Sequence, residues 1–299
     1  MKPADSWIAL DWGTSRLRAW HMSARGEILD SASSDQGMSS LMPEQYEPAL
    51  LELVRPWLVE GRRTSVAACG MVGARQGWVE APYASVPWRP GSEWIEAPVD
   101  DARIQVRIAS GVKQLEPVDV MRGEETQIAG LLAAKPDFEG VVCLPGTHSK
   151  WVRVADGAIQ SFQTFMTGEL FGLLAEKSVL QHTLPEAELD PAPFRKAVTQ
   201  SMESPESVAS QFFALRAGVL QGVTKAESGR SRLSGWLIGH ELAMARPHWE
   251  MQKVVLVCSG PLAEAYQLAL EEVGVRASHL NVEESTLTGL QSLLDESCL

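Results

Sequence analysis

Two copies of one pattern of strands and turns, about half a chain apart, place the strongest limit on how this sequence folds. The first copy begins with residues 7–11, whose apolar run predicts a buried strand, and Gly13 provides a tight turn into an alternating strand over 16–22. A second turn around Gly26 leads to a third strand near 27–32. The chain is therefore predicted to open with an antiparallel meander of three strands.

The second copy starts near residue 140 and repeats the order of the first. Residues 140–144 predict a strand, 145–148 a turn, and 150–154 and 158–164 two further strands. In both copies a helix and another strand are predicted to follow the meander. Such a repeat is typical of a duplicated α/β unit.

The fold class predicted from this repeat is α/β with two lobes, residues 1–135 and 136–299, and the last helix is free to pack back on the first lobe. Residues 71–117 are rich in proline and glycine and are expected to be mostly loops that carry substrate contacts. Apolar spacing predicts helices over 44–60, 167–180, 206–225, 233–245, 261–273 and 285–296, and strands over 64–69 and 254–258.

Length and composition are those of a globular enzyme: 299 residues, 45% hydrophobic. The formal net charge of −12 and the pI near 5.0 disfavour a nucleic-acid partner. The N-terminus lacks the apolar core of a signal peptide, and no apolar run approaches the roughly 20 residues that span a bilayer. Widely spaced Cys69, Cys143, Cys258 and Cys298 fit reduced thiols in a cytoplasmic protein, and the first three lie in predicted strands.

The turn of the first meander carries polar groups that suit phosphate. Gly13, Thr14 and Ser15 allow backbone N–H groups and hydroxyls to meet phosphate oxygens, and Asp11 at the strand end is able to hold a hydrated cation. Arg18 is predicted to face the same ligand. The alternative is an ordinary hairpin whose Asp and Thr satisfy turn hydrogen bonds. A Gly-Thr pair recurs in the second turn, whereas the Rossmann and P-loop glycine patterns are absent from the sequence.

Longer strings are more specific than either turn: Asp11–Thr14, Arg18–Trp20, Gly70–Gly73, Glu80–Tyr83, Arg122–Gln127 and Pro145–Trp151. In this order they resemble the 2-dehydro-3-deoxygalactonokinases of the sugar-kinase and actin superfamily. The resemblance implies a two-lobed actin-like (ribonuclease H-like) fold with a central cleft, and ATP and Mg²⁺ as cofactors. It also implies phosphorylation of 2-dehydro-3-deoxy-D-galactonate at its 6-hydroxyl, in galactonate catabolism.

By this resemblance the two turns bind the phosphates from opposite sides, Asp11 holds the metal ion, and the lobes close on their ligands. The N-terminal lobe then carries the sugar-acid site and the C-terminal lobe the adenosine site. Contacts with ATP are expected at Gly13, Thr14, Ser15, Arg18, Gly146, Thr147, His148, Ser149, Lys150 and Gly260.

The segment before the predicted helix at Ile128 contains the candidate catalytic base. By resemblance to glycerol-kinase-like enzymes, which have a Gly-Asp at a similar location, Glu124 accepts the proton of the attacking hydroxyl, with Glu125 as the alternative. Both acids also fit the plainer role of complementing the positive end of a helix. Substrate contacts are expected at Met71, Gly73, Arg75, Arg122 and Glu125.

The basic residues Arg75, Arg122 and Lys150 are candidate partners of a sugar-acid carboxylate, although each also fits a salt bridge. Trp78 and Trp88 are candidates to line the sugar site. Two other functions fit the same sequence: a kinase for another sugar or sugar acid, and a nucleotide-dependent conformational or sensor ATPase. The expected partner is a small acidic sugar, with no nucleic acid and no membrane. The oligomeric state stays open, with a homodimer as one option.

Overall fold

The computed structural model describes residues 6–91 and 94–297, which form two compact units. Unit 1 comprises the described residues of Met1–Phe138, Ala155–Ser161 and Val282–Leu299, and unit 2 comprises Glu139–Val154 and Phe162–Asn281. The last helix therefore belongs to the same unit as the first half of the chain. Within the described residues, no helix combines the length and the apolar composition that a transmembrane span requires.

The bounds of the regular elements are as follows, in chain order. The strands are β1 Ser6–Trp12, β2 Leu17–Ser23, β3 Ile28–Ser34, β4 Thr64–Gly70, β5 Tyr83–Ser85, β6 Trp94–Glu96, β7 Ile104–Ala109, β8 Gly111–Leu115, β9 Val118–Met121, β10 Gly140–Leu144, β11 Ser149–Ala155, β12 Ala158–Phe165, β13 Val254–Val257 and β14 Ser278–Leu280. The α-helices are α1 Tyr46–Val54, α2 Glu124–Ala134, α3 Thr167–Gly172, α4 Pro191–Glu203, α5 Val208–Leu220, α6 Gly229–Met244, α7 Arg246–Trp249, α8 Pro261–Glu272 and α9 Val282–Ser297.

Both predicted meanders are confirmed, and each continues into a parallel strand. In unit 1, β1 pairs antiparallel with β2 and parallel with β4, within a sheet of order β3-β2-β1-β4-β7-β6. In the second sheet, β10 pairs antiparallel with β11 and parallel with β13, and the order is β12-β11-β10-β13-β14. The first four positions of the two orders correspond strand for strand, so the duplication predicted from the sequence is a duplication of topology.

Most described residues of the segment 71–117 lie outside regular elements, as predicted, but the segment also contains strands that were not predicted. Four strands lie in that segment, and β5, β8 and β9 form a separate three-stranded sheet. Three of these strands are only three to five residues long, too short for a clear periodicity, whereas β7 is six residues long and alternates buried with less buried side chains. The backbone pairing that defines them is a tertiary feature.

Local sequence signals explain how the observed helices differ from the predicted ones. The helix predicted over 44–60 ends at Val54, because Pro56 has no N–H for the helical ladder, and a 3₁₀ turn follows. Helix α4 was not predicted, although Asp190 caps it by accepting from the Ala192 N–H at 3.2 Å and Pro191 occupies its first turn. The helix predicted over 167–180 is divided into α3, a π-helical turn and a 3₁₀ turn.

Aromatic packing accounts for much of the core of unit 1. The Trp12 and Tyr46 rings lie 4.9 Å apart between centroids, and Trp78 stacks on Tyr46 at 5.9 Å. Trp78 is 7% exposed and Trp88 is 6% exposed. The structure therefore places both tryptophans in the interior of unit 1.

The prediction of unpaired thiols is confirmed for the cysteines that the structure describes. Cys69, Cys143 and Cys258 are free and buried. Burial raises the pKa of each of these thiols. Cys298 lies outside the described residues.

Two glycines allow α2 and α9 to pack backbone against backbone in unit 1. A Cβ atom at Gly130 would overlap the carbonyl oxygen of Ser285, and one at Gly289 would overlap the carbonyl oxygen of Thr126. The contact is reciprocal, because each glycine meets the partner helix. It fixes the N-terminal turn of α2, which carries Glu124 and Glu125, against the end of the chain.

We expect Gly130→Ala to lower the free energy of unfolding by about 1–3 kcal/mol, because the methyl group must push apart two helix backbones. Urea unfolding followed by circular dichroism measures this change. The matched control is Gly172→Ala, at a helical position where a Cβ meets no neighbouring atom. Equal stability of the Gly130→Ala variant and the parent protein would contradict the described helix contact.

Candidate active site

The carboxyl ends of β1 and β4 and the N-terminus of α2 meet in unit 1. Parallel pairing sets Asp11 beside Cys69 and Trp12 beside Gly70. Gly70 has φ 90° and lies so close to β1 that a Cβ there would be 2.8 Å from the Trp12 carbonyl oxygen. Gly123 has φ 107°, and a Cβ there would be 3.3 Å from the Gly70 Cα. These conformations favour glycine, and they bring the start of α2 to the end of β1.

In the turn of the first hairpin the carbonyl groups accept hydrogen bonds, whereas the N–H groups of the exposed residues Thr14 and Ser15 are unpaired within the described residues. Its carbonyl groups are used by the following segment, because the Met38 N–H donates to the Gly13 oxygen at 3.0 Å and the Ser39 N–H to the Thr14 oxygen at 2.9 Å. Thr14 and Ser15 are exposed, and within the described residues their own N–H groups have no acceptor. Exposed, unpaired backbone donors in a tight turn form an anion-binding concavity.

Asp11 and Arg18 form an ion pair inside the same hairpin. The Arg18 Nη2 donates to Asp11 Oδ2, and the two side chains are 39% and 19% exposed. The pair links the residue predicted to hold a metal ion to a residue predicted to meet phosphate. Sequence reasoning missed this bond, although the hairpin register, which places Asp11 directly opposite Arg18, was available to find it.

The two candidate bases differ in access. Glu124 is half-buried, and its Oε2 accepts from the Arg122 N–H at 3.0 Å. Glu125 is fully buried and accepts from the Gly123 N–H at 2.9 and 2.7 Å through its two oxygens. Burial, and next the neighbouring Glu124, raise the pKa of Glu125 to about 8. Only Glu124 is accessible to a ligand in this conformation.

Arg122 is a buried cation with unused donors. Its side chain is 9% exposed, its Nη2 donates to the Ala81 carbonyl at 2.8 Å, and its guanidinium carbon lies 4.2 Å from the Tyr83 ring centroid. Within the described residues its Nε and Nη1 have no hydrogen-bond partner. A Cβ at Gly73 would be 3.0 Å from Nη1, so the backbone at Gly73 lies against the guanidinium. Unsatisfied buried donors of a charged group are costly, which favours an anionic ligand here.

The other predicted substrate residues lie on the turn between β4 and β5. Met71 is half-buried and belongs, with Gly73, to a 3₁₀ turn directly after Gly70, whereas Arg75 is exposed. Among the described residues, no group of three or more His, Cys, Asp or Glu side chains has the arrangement of a metal site.

The second hairpin, in unit 2, has a similar open turn. Gly146 has no neighbour within 4 Å of an added Cβ, and Thr147 is exposed. His148 Nε2 lies 2.6 Å from Glu169 Oε2, and the Glu169 N–H donates to the Thr147 oxygen at 3.0 Å. The Lys150 ammonium is buried and donates to the His148 oxygen at 3.1 Å. Glu169 was not predicted, because it lies beyond the hairpin in α3.

Ser149 differs from its neighbours in the hairpin. It is fully buried, and its hydroxyl lies 2.7 Å from the Tyr266 hydroxyl, which donates to Glu241 Oε2 at 2.7 Å. The side chain therefore belongs to a polar network in the core of unit 2 rather than to the open turn. Neither Tyr266 nor Glu241 was predicted from the sequence.

A pocket next to Gly146 lies wholly within unit 2. It is bounded by α3, α6 and the N-terminus of α8, and its walls are mostly apolar. Gly260, with φ 68°, is the residue before α8 and is exposed at this end of the helix. Its lining includes Gly146, Phe171, Arg230, Ser234, Leu262 and Tyr266.

Comparison with known proteins identifies the family of this chain. The family model described as 2-keto-3-deoxy-galactonokinase matches residues 11–293, which is nearly the whole chain. The chain belongs to this kinase family. The fold class predicted from the sequence is confirmed as that of the actin-like ATPases and sugar kinases.

Two curated relatives and two solved structures illustrate this kinase family and its fold. "Probable 2-dehydro-3-deoxygalactonokinase DgoK1" of Rhizobium meliloti (strain 1021) is 37% identical over 98% of this chain and 97% of its own. The 2-dehydro-3-deoxygalactonokinase of Escherichia coli (strain K12) is 32% identical over 96% of this chain and 97% of its own. A crystal structure named for the same kinase, from Sinorhizobium meliloti, superposes with a TM-score of 0.89 at 35% identity, over 96% of this chain and 97% of that one.

The fold extends to a more distant protein. The activator of 2-hydroxyisocaproyl-CoA dehydratase from Clostridium difficile, solved with bound ADPNP, has a TM-score of 0.55 at 11% identity, over 98% of this chain and 96% of that one. At this identity the similarity shows the fold alone.

In the kinase family member described here, unit 1 brings together Asp11, Arg18, Gly73, Arg122 and Glu124, and unit 2 brings together the second hairpin, its pocket and Gly260.

Glu125 makes the stability of this kinase depend on pH. Its pKa is about 8 in the folded protein and 4.5 in the reference state, so the folded protein binds the proton more tightly. The stabilisation is complete below pH 4.5 and is lost as the pH rises to about 8. We expect Glu125→Gln to remove this loss, so that between pH 5 and pH 8 the parent loses roughly 1.4 kcal/mol of stability per pH unit relative to the variant.

Urea unfolding of both proteins at pH 5 and pH 8 tests this expectation. Glu52→Gln, at an exposed position of α1, is the control and should follow the parent at both pH values. If the Glu125→Gln variant and the parent lost equal stability between the two pH values, the carboxyl would titrate normally and the described burial would be incorrect.

Proposed function

We propose that this kinase transfers the terminal phosphoryl group of ATP to the 6-hydroxyl of 2-dehydro-3-deoxy-D-galactonate, with Mg²⁺ as the metal ion. Both curated relatives are named as 2-dehydro-3-deoxygalactonokinases. The observation that carries the proposal to this chain is Arg122, a buried guanidinium whose Nε and Nη1 have no partner within the described residues. A neutral sugar offers no charge to satisfy it, whereas a sugar acid does.

The carboxylate of the substrate is proposed to bind at Arg122, beside Gly73. The Tyr83 ring and the Ala81 carbonyl fix the plane of the guanidinium, so its donors are already oriented. Arg75, exposed on the adjoining turn, is a second cation for the same anion. Orienting one end of the substrate in this way restricts where its distal hydroxyl lies, which is the main task of a phosphoryl-transfer enzyme.

Glu124 is proposed as the residue that accepts the proton of that hydroxyl. It is half-buried at the start of α2, whereas Glu125 is fully buried behind it. The bond from the Arg122 N–H to Glu124 Oε2 orients the carboxylate. The same bond links Glu124, the proposed base, to Arg122, the proposed partner of the substrate carboxylate. The hydroxyl and the carboxylate of the sugar acid would thus be positioned by two residues that are close in the chain.

Unit 1 also offers contacts to the phosphates and the metal ion. When bound, ATP supplies the phosphoryl group and Mg²⁺ reduces the charge on its oxygens. The open N–H groups of Thr14 and Ser15 fit phosphate oxygens, and Arg18 supplies a positive charge. Asp11 would hold the cation through water, in place of or beside its bond to Arg18.

Unit 2 is proposed to bind the rest of the nucleotide. The turn at Gly146 and Thr147 is open, and the adjoining pocket has apolar walls with a few polar groups, as sites for small ligands do. Gly260 lies at the start of α8, where a nucleotide passes close to the backbone. Unit 1 would thus carry the sugar acid and unit 2 the adenosine.

A coupled assay of ADP formation over a panel of 2-keto-3-deoxy acids and aldonic acids tests the substrate. We expect ADP only when a sugar acid is present, and the highest kcat/KM with 2-dehydro-3-deoxy-D-galactonate. ADP formation at one rate with and without sugar acids would favour a sensor ATPase instead.

Arg122→Lys should raise the KM for the sugar acid by about 10-fold or more while leaving the KM for ATP unchanged, because an ammonium cannot reproduce the guanidinium donors.

Glu124→Gln should lower kcat by about 100-fold or more while ATP binding is retained, because general base catalysis typically contributes 10²–10⁴ in rate. Steady-state kinetics and calorimetric ATP titration measure the two effects. Glu52→Gln serves again as the control for a surface charge change. Unchanged turnover in the Glu124→Gln variant would remove Glu124 from the mechanism and leave it as a helix N-terminal residue.

A further inference from the structure

A buried carboxylate organises the polar interior of unit 2. Glu241, on α6, is 1% exposed, and its two oxygens accept from three elements. The Trp151 indole N–H of β11 donates to Oε1 at 2.8 Å, and the Tyr266 hydroxyl of α8 donates to Oε2 at 2.7 Å. The Thr167 hydroxyl, at the start of α3, also donates to Oε2. One side chain thus joins β11, α3, α6 and α8.

The network reaches the second hairpin along two routes. Because the Tyr266 proton points at Glu241, the Ser149 hydroxyl donates to Tyr266 at 2.7 Å, and Ser149 is the first residue after the turn. The other route passes through Thr167 to the next two residues of α3. A Cβ at Gly168 would overlap the Gly146 oxygen, and the Glu169 N–H donates to the Thr147 oxygen at 3.0 Å.

Two members of the network also form the wall of the pocket. Thr167 and Tyr266 line it together with Gly146. The side chain of Glu241 does not line the pocket. It is hydrogen-bonded to Thr167 and Tyr266, which do. An ionisable group in this position is costly to bury, and burial raises the pKa of Glu241 even though several donors oppose the shift. An apolar side chain would satisfy the packing but would leave three donors without an acceptor.

We propose that Glu241 is a positioning residue that holds the turn at Gly146 and Thr147 and the Tyr266 wall of the pocket in the geometry that binds nucleotide. The inference rests on the proposed function for the identity of the ligand. Glu241 acts through Thr167 and through Tyr266 and Ser149, and it does not contact the nucleotide. Its removal should therefore weaken nucleotide binding and leave the sugar-acid site of unit 1 unaffected.

The chemistry of the network predicts which substitutions it tolerates. In Glu241→Gln the amide oxygen still accepts from Trp151, and the amide N–H₂ donates to the hydroxyls of Thr167 and Tyr266, which turn to accept. Tyr266 is then free to donate to Ser149, so every contact is kept. Glu241→Met has nearly the same shape but no acceptor, and it breaks all three bonds.

Calorimetric titration with ADP and steady-state kinetics of the full-length variants test the proposal. We expect Glu241→Met to raise the Kd for ADP and the KM for ATP by about 10-fold or more, with the KM for the sugar acid within about twofold of the parent. Glu241→Gln should restore ADP binding to near the parent value. Tyr266→Phe, which removes only the hydroxyl between Glu241 and Ser149, should reproduce the loss and serves if the Met variant does not fold.

Ser201→Ala is the matched control for a lost hydrogen bond in the core of unit 2. Ser201 is 1% exposed, and its hydroxyl donates to the Trp236 oxygen at 3.0 Å, away from the hairpin. Both Glu241→Met and Ser201→Ala should lower the midpoint of thermal unfolding, but only the former should weaken ADP binding. Parent-like ADP binding in folded Glu241→Met or Tyr266→Phe protein would overturn the proposal and leave Glu241 a residue of the core.

The parent protein separates this inference from the proposed function. If the parent binds ADP and phosphorylates no sugar acid, the proposed function fails, and the comparison of ADP binding among the variants still decides the role of Glu241. If the parent binds no ADP, both are overturned.

Discussion

The parallel strand added to each meander is the constraint on which the described sites depend. In an antiparallel hairpin alone, β1 would have one free edge, and the end of the strand would be a surface turn. Pairing with β4 makes β1 an interior strand and sets the ends of β1 and β4 at one edge of the sheet. Strand β10 has the same two kinds of neighbour in unit 2. In open α/β sheets ligands bind beyond the carboxyl ends of the parallel strands, which is where both Gly-Thr turns lie.

Glycine then determines how closely other elements approach that edge. Gly70 and Gly123 both have positive φ, and each lacks the side chain that would keep α2 away from β1. A cationic side chain and two carboxylates, Arg122, Glu124 and Glu125, are thereby held close to the strand ends. The reciprocal glycine contact between α2 and α9 also anchors the same helix. Backbone proximity, rather than side-chain packing, sets the dimensions of the site in unit 1.

The sequence predicted those parts of the fold in which local pattern and tertiary structure agree. Both meanders were predicted because apolar runs mark β1 and β10 and turn glycines separate the strands, and Asp11, Gly13 and Gly146 were placed in the meanders at the same time. Strands β5 to β9 were not predicted, because most of them are only three to five residues long and too short to show a clear alternation. The Glu241 network was not predicted either, because no local pattern distinguishes this glutamate from others in a helix and its partner Trp151 is 90 positions away in the sequence. No period or motif marks a residue whose role depends on three separate elements.

The neighbouring carboxyls at the start of α2 show why burial has to be known before roles are assigned. In sequence, Glu124 and Glu125 are equivalent acids in the first turn of a helix. In the structure, Glu125 is enclosed, and with a pKa of about 8 it is mostly protonated at neutral pH. The helix terminus then carries little more than the charge of Glu124 alone. Since ATP and the sugar acid are both anions, a second ionised carboxylate here would oppose their binding, and a neutral Glu125 still accepts from the Gly123 N–H without that repulsion.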